Sequence, residues 1–204
     1  MRMSKALAAV LAISVSLSAA ALGVDATVES TCKAAAAGDK RVHLSMCISQ
    51  LGHHRDSHDA DVWGLAKVAS LVGVNYADLA ADDIKNLEAG GSPAAIKPAL
   101  AECAKLYRGV GFAFASAHDV INNRAYDAGE KKLDEALSLT QQCNAAFAKI
   151  GVPLQQPLAQ RTADSIQVAI IAKAITCLLS VNNNPAAVAA AAAAAAALAP
   201  QQSQ

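Results

Sequence analysis

Five cysteines, Cys32, Cys47, Cys103, Cys143 and Cys177, are the side chains of this 204-residue sequence with the widest choice of chemistry. A thiol can close a disulfide, ligate a metal or attack an electrophile. Attack needs a base, and His118 is the partner the sequence suggests for Cys177. Cys177 lies between Ile175 and Leu178, however, and reads as a small apolar core thiol that stays free. Metal binding would draw on His53, His54 and His58, with Asp56 and Asp59 beside them, if that stretch were helical. Gly52 precedes them and a long helix starts just after, so a solvated loop is expected there, and no metal. Asp82-Asp83 is a paired carboxylate with no histidine or further acid placed to share its proton, so a solvated face is expected for it too. No G-x-S-x-G, H-E-x-x-H, C-x-x-C or phosphate-cradling glycine loop occurs. The sequence therefore predicts no enzyme activity and no cofactor.

The amino terminus decides between the remaining roles of the thiols. Arg2 and Lys5 precede an apolar run from Ala6 to Leu22, and small residues follow at Ala19-Ala20-Ala21 and Val24-Asp25-Ala26. That order predicts a secretory signal peptide over residues 1–26, so all five cysteines would mature in an oxidising compartment, where disulfides are the default.

Composition bounds the fold that must hold them. The chain is 54% hydrophobic, about a quarter alanine and only 3% aromatic, which suits one core of closely packed helices. Basic and acidic residues number 17 each and are interspersed, so nucleic acid is excluded as a partner. Without residues 1–26 the counts are 15 and 16, close to neutral. Residues 182–204 read as a low-complexity tail: alanine apart from Val188 and Leu198 over 186–199, short for a membrane span, and polar at its end. No membrane is expected as a partner, and no N-glycosylation sequon occurs.

Between the two ends the apolar residues keep helical time. Val62, Leu65, Ala69, Val72, Tyr76 and Leu79 are spaced 3-4-3-4-3, followed by Ala80, Ile84 and Leu87, and Gly90-Gly91-Ser92-Pro93 stops the pattern. A second run, Ile96, Leu100, Cys103, Tyr107, Val110, Phe114, Ala117 and Ile121, begins near Pro93 and ends at Asn122-Asn123. A third carries Leu133, Leu137, Thr140, Cys143 and Phe147 and is closed by Gly151 and Pro153; a fourth carries Asp164, Val168, Ile171, Ile175 and Leu178. Four amphipathic helices with short joints predict an all-α, up-down-up-down bundle over 57–181.

Cysteine pairing follows from that topology. In two antiparallel helices, residues equally far from the turn sit at one height, and only such pairs bring their Cα atoms within disulfide reach. Cys103 and Cys143 are each 20 residues from Asn123, and Cys32 and Cys47 flank Gly38-Asp39-Lys40 symmetrically. The predicted bridges are Cys32 to Cys47 and Cys103 to Cys143. Residues 27–52 then form a disulfide-linked helical hairpin in front of the bundle.

Thr31-Cys32-Lys33, Cys47 with Ile48 and Leu51, the stretch from Ser57-His58 through Ala60-Asp61 to Gly64-Leu65, Cys103 with Tyr107, Ala125-Tyr126-Asp127-Ala128, Ala136-Leu137 and Cys143 carry a family resemblance. They are similar to the plant invertase and pectin methylesterase inhibitor family over residues 31 to 180, and most of all to its branch of invertase-inhibitor-like pollen proteins. The resemblance implies a secreted inhibitor, monomeric when free, in the apoplast and cell wall or the vacuole. Its partner would be a plant pectin methylesterase or an acid invertase. Invertase inhibitors of the family carry a Pro-Lys-Phe tripeptide between the second and third bundle helices. Arg124, Ala125 and Tyr126 stand at those positions here, with the basic and aromatic residues in changed order and no proline. That favours a pectin methylesterase target. The expected target contacts are the residues flanking this joint, Asn122, Asn123, Arg124, Tyr126, Asp127, Lys131 and Asp134, with Arg124 and Tyr126 as anchors.

Overall fold

The computed structural model describes residues 28–183; the expected signal peptide and the alanine-rich run lie outside them. Six helices follow one another: α1 Val28–Gly38, α2 Leu44–Gly52, α3 Val62–Ala89, α4 Lys97–Asn122, α5 Tyr126–Lys149 and α6 Leu158–Asn183, with a single 3-10 turn, Arg55–Ser57, before α3. No strand occurs among the described residues. Helix α3 packs on α4, α4 on α5, α5 on α6 and α6 back on α3, which closes the four-helix ring. The α1–α2 hairpin lies against the α3–α6 side of it.

The stops and starts have local causes. Asp61 caps α3 by accepting the Gly64 N–H at 2.7 Å. Gly91, at φ 77°, ends the α3 excursion, and Pro98 sits in the first turn of α4, where its missing N–H leaves nothing unpaired. Inside, Leu100, Tyr107, Val110, Phe114, Ala117, Ile121, Leu133 and Phe147 of the second and third apolar runs are all buried, and Leu137 of the third is half-buried. Gly73 of α3 lies flat against Phe114 of α4, and a Cβ there would stand 2.3 Å from the ring. A glycine is what lets these two helices approach so closely. Helix α6 is long and apolar enough to cross a membrane, but 56% of that window is buried inside the bundle, as a core helix should be.

Both bridges join residues at one height. Cys32 is bonded to Cys47 with Cα atoms 5.8 Å apart, and Cys103 to Cys143 at 4.8 Å, while Cys177 is a free thiol. The symmetric spacing about the two turns therefore chose the right pairs.

Two readings of α3 are corrected. Leu79 is 36% exposed; the buried line passes through Ala77 in its place and then through Ala80 and Ile84 as expected. A strict 3-4 repeat drifts about 20° per heptad on a straight α-helix, so after two heptads its stripe has turned toward solvent. Asp82 and Asp83 do not share a face, because consecutive helical residues point about 100° apart. Asp82 is exposed and paired with Lys85, whereas Asp83 is buried and holds Arg161 of α6 at 3.2 Å. That ion pair, with the Arg161 guanidinium 5.7 Å from the Tyr76 ring, fastens α3 to α6. Nearby, Tyr107 donates from its hydroxyl to Thr162 at 2.8 Å, which satisfies the one polar atom that a buried tyrosine brings into the core.

Candidate functional site

The joint between α4 and α5 is built on strained backbone. The Arg124 N–H donates to the Ile121 carbonyl and the Ala125 N–H to the Val120 carbonyl, each at 2.9 Å, the paired bonds of a Schellman helix stop. The residue that must turn left-handed in this motif is usually glycine. Here it is Arg124, at φ 60°, a conformation that costs a side-chain-bearing residue about 1 kcal/mol. Strain of this kind persists where the surroundings impose it, and it clusters at functional sites.

The surroundings are supplied by α3. Trp63 donates its indole N–H to the Ile121 carbonyl at 2.9 Å, tying the first turn of α3 to the last turn of α4. Its ring lies 4.7 Å from the Arg124 guanidinium carbon and 3.5 Å from Lys67 Nζ, both within cation–π range. Lys67 also donates to the Asn122 side-chain oxygen at 3.3 Å, and Arg124 to the Tyr126 hydroxyl at 3.3 Å. One indole thus organises two cations, an amide and a phenol.

The expected contact residues divide accordingly. Asn122, Asn123, Arg124 and Asp127 are exposed at the joint, and Lys131 is exposed one turn further along α5. Tyr126 is not: it is only 6% exposed, because the first residue of α5 turns its ring under the joint, and its hydroxyl reaches outward only as far as Arg124. Asp134 is exposed, yet both its oxygens receive Lys173 Nζ at 2.7 Å, which commits it to the seam between α5 and α6. Sequence reasoning missed Trp63 and Lys67. A lone tryptophan one residue past a helix start was the available signal. It also missed Phe112, 68% exposed on the outer face of α4. The 4-3-4 pattern that buries Val110 and Phe114 leaves Phe112 pointing away.

The alternative sites carry less. Cys177 is half-buried beside a cavity of about 330 Å³ between α1 and α6, lined by Ala35, Asp39, Lys173 and Leu178 among others. Burial, then the hydrogen bond and charge of Glu130, push its thiol up to about 12, so the thiolate a nucleophile needs is disfavoured. His118 is engaged with Asp119 at 3.1 Å. In the histidine stretch, His54 accepts the Asp56 N–H at 3.3 Å to start the 3-10 turn, and His58 meets Asp59 at 2.9 Å. Among the described residues no group of three His, Cys, Asp or Glu side chains is placed to hold a metal ion.

Comparison with known proteins puts this geometry in a family. The family described as plant invertase/pectin methylesterase inhibitor matches residues 26–175. The chain is 86% identical to pectinesterase inhibitor 12 of Oryza sativa subsp. japonica, over all of this chain and 99% of that one. It is 49% identical to pectinesterase inhibitor 8 of the same plant, over 77% of this chain and 85% of that one. A "Putative invertase inhibitor" of Platanus acerifolia is more distant, at 26% identity over 74% of this chain and 84% of that one. A crystal structure of a mutant form of a pectin methylesterase inhibitor from Arabidopsis shares the fold, with TM-score 0.62 at 17% identity, covering 74% of this chain and 97% of the other.

Proposed function

The chain belongs to the plant invertase/pectin methylesterase inhibitor family, and from that premise we propose that it is a secreted inhibitor of pectin methylesterase that occludes the enzyme's substrate groove in a 1:1 complex. The observation that carries this reading is the 86% identity, end to end, with a rice pectinesterase inhibitor. Residues 1–26 would direct it into the secretory pathway and be removed on entry. Inhibition of this kind asks no chemistry of the inhibitor. It asks for a stiff surface, since ordering a flexible one on binding subtracts from affinity. Two disulfides and a closed ring of four long helices meet that demand. The contact surface we assign combines Asn122, Asn123, Arg124, Asp127 and Lys131 at the joint with Phe112 on α4.

Invertase inhibition is the second reading, and the plane-tree relative favours it. Against it stand the missing proline and the burial of Tyr126, which leaves no aromatic side chain at the joint free to enter an active site. The test is titration of the purified mature protein, bridges intact, into a plant pectin methylesterase and separately into an acid invertase. The expected result is loss of methylesterase activity that is complete near equimolar inhibitor, with a single complex in size-exclusion chromatography. Activity unchanged in both assays would overturn the function, and loss of invertase activity alone would transfer it to the second reading.

A further inference from the structure

Lys67 and Arg124 are brought together on one indole, and neither is ion-paired among the described residues. Lys67 is half-buried, and the other half-buried cations among the described residues are neutralised: Lys132 holds Glu135, Arg161 holds Asp83 and Lys173 holds Asp134, whereas Arg124 is exposed. Two like charges within reach of a single ring repel, and the ring's negative face offsets only part of that repulsion. We propose that Trp63 is a positioning residue that presents Lys67 and Arg124 as a cationic ledge for carboxylates on the rim of the target enzyme's groove. This rests on the inhibitor reading above and specifies which surface of the partner is recognised.

Three observations give Trp63 this role. Its N–H fixes the carbonyl of Ile121, the residue from which the Schellman stop is measured, so the indole sets where Arg124 emerges. Its ring holds the guanidinium while the backbone beneath stays left-handed. Trp63 also borders a shallow cavity lined by Asp56, Asp59 and Asp61 together with His58 and Arg55, the last paired with Asp56 at 3.2 Å, so carboxylates remain in surplus there. Those carboxylates disfavour a long polyanion such as de-esterified pectin lying across the ledge. A protein rim, with a few carboxylates placed opposite two cations, meets no such repulsion.

The chain contains one tryptophan, so Trp63 fluorescence reports on the ledge without labelling. Adding pectin methylesterase should shift that emission, with an affinity that falls as salt rises from about 0.05 to 0.5 M. Lys67→Gln and Arg124→Gln lie on the surface and leave the core alone; each should weaken inhibition about tenfold at low salt and flatten the salt dependence. Trp63→Ala should lose both cations' contributions together, and Trp63→Phe, which keeps a ring but not the N–H, should recover only the part of the loss that the ring accounts for. Circular dichroism melts separate these effects from unfolding. Inhibition by the wild type that ignores salt and both glutamine variants would sink the ledge while leaving the inhibitor reading standing. Polygalacturonate shifting the Trp63 emission with no enzyme present would also sink it, in favour of a polysaccharide ligand. A wild type that binds no pectin methylesterase removes both proposals.

Discussion

The molecule contains two tight helical corners closed by sulfur, and they are held in opposite ways. The α1–α2 corner turns at Asp39 to His43, and two of its charges pair on the spot: Asp39 accepts the Arg41 guanidinium at 2.6 Å and the Arg41 N–H at 3.0 Å. Its bridge lies close to the turn, seven residues away on one side and eight on the other. The α4–α5 corner has its bridge 20 residues away on each side, carries a left-handed arginine, and leaves two cations without carboxylates. A corner that satisfies itself is scaffold. A corner kept strained and charged by a third helix is where we propose that the partner binds.

Removing the bridges tests that difference most severely. Replacing Cys103 and Cys143 with alanine opens a 40-residue loop and should cost about 4 kcal/mol in urea unfolding by the loop-entropy estimate. Below the midpoint, inhibition should survive, because the joint is set by Trp63 and not by the distant sulfur. Replacing Cys32 and Cys47 should cost about 3 kcal/mol. The loss should concentrate in α1 and α2, since helices of 11 and 9 residues do not persist alone, and hydrogen exchange would show it as amide protection lost there but kept at residues 120–126. Equal loss at both corners would erase the contrast.

Arg124→Gly should move stability and function in opposite directions. Glycine adopts the left-handed turn without penalty, so the melting midpoint should rise by the equivalent of about 1 kcal/mol while inhibition weakens. A glycine variant that inhibits fully would mean the strain at residue 124 serves nothing. At the self-satisfied corner the expected change is smaller still. Asp39→Asn should destabilise by less than about 1 kcal/mol at neutral pH, as exposed pairs do. The Arg41 hydrogen bond holds the Asp39 carboxyl below its ordinary range, so its contribution is present above that range and lost as pH falls through the lowered value. Wild type and Asp39→Asn should therefore converge in acid, measured by melts across pH 2 to 7. Cys177, in the cavity facing the hairpin, should alkylate slowly at pH 8 and speed up toward pH 12, the thiol's raised value.

The bundle was legible because its signals are local and periodic. The 4-3-4 spacing from Ile96 to Ile121 needs no knowledge of neighbours, and equal distances from a turn are enough to pair four cysteines. For the proposed site the sequence offered only a place, the residues flanking Asn123, and not its composition. Tyr126 was expected as an anchor because interfaces draw on aromatic and Arg side chains, but whether the first residue of a helix points up or under depends on the helices it meets. Asp83 failed in the same way, since its partner Arg161 is 78 residues on.

The amino-acid sequence by itself determined an all-helical chain of antiparallel pairs, where it turns, and which sulfurs meet, because periodicity and turn distance are properties of the chain taken in order. Only the tertiary structure decided that Trp63 and Lys67 of α3 stand beneath Arg124, more than 50 residues away. Contacts across helices depend on the rotation and height at which the helices pack, and a cation's partner, or the lack of one, is fixed by that packing alone.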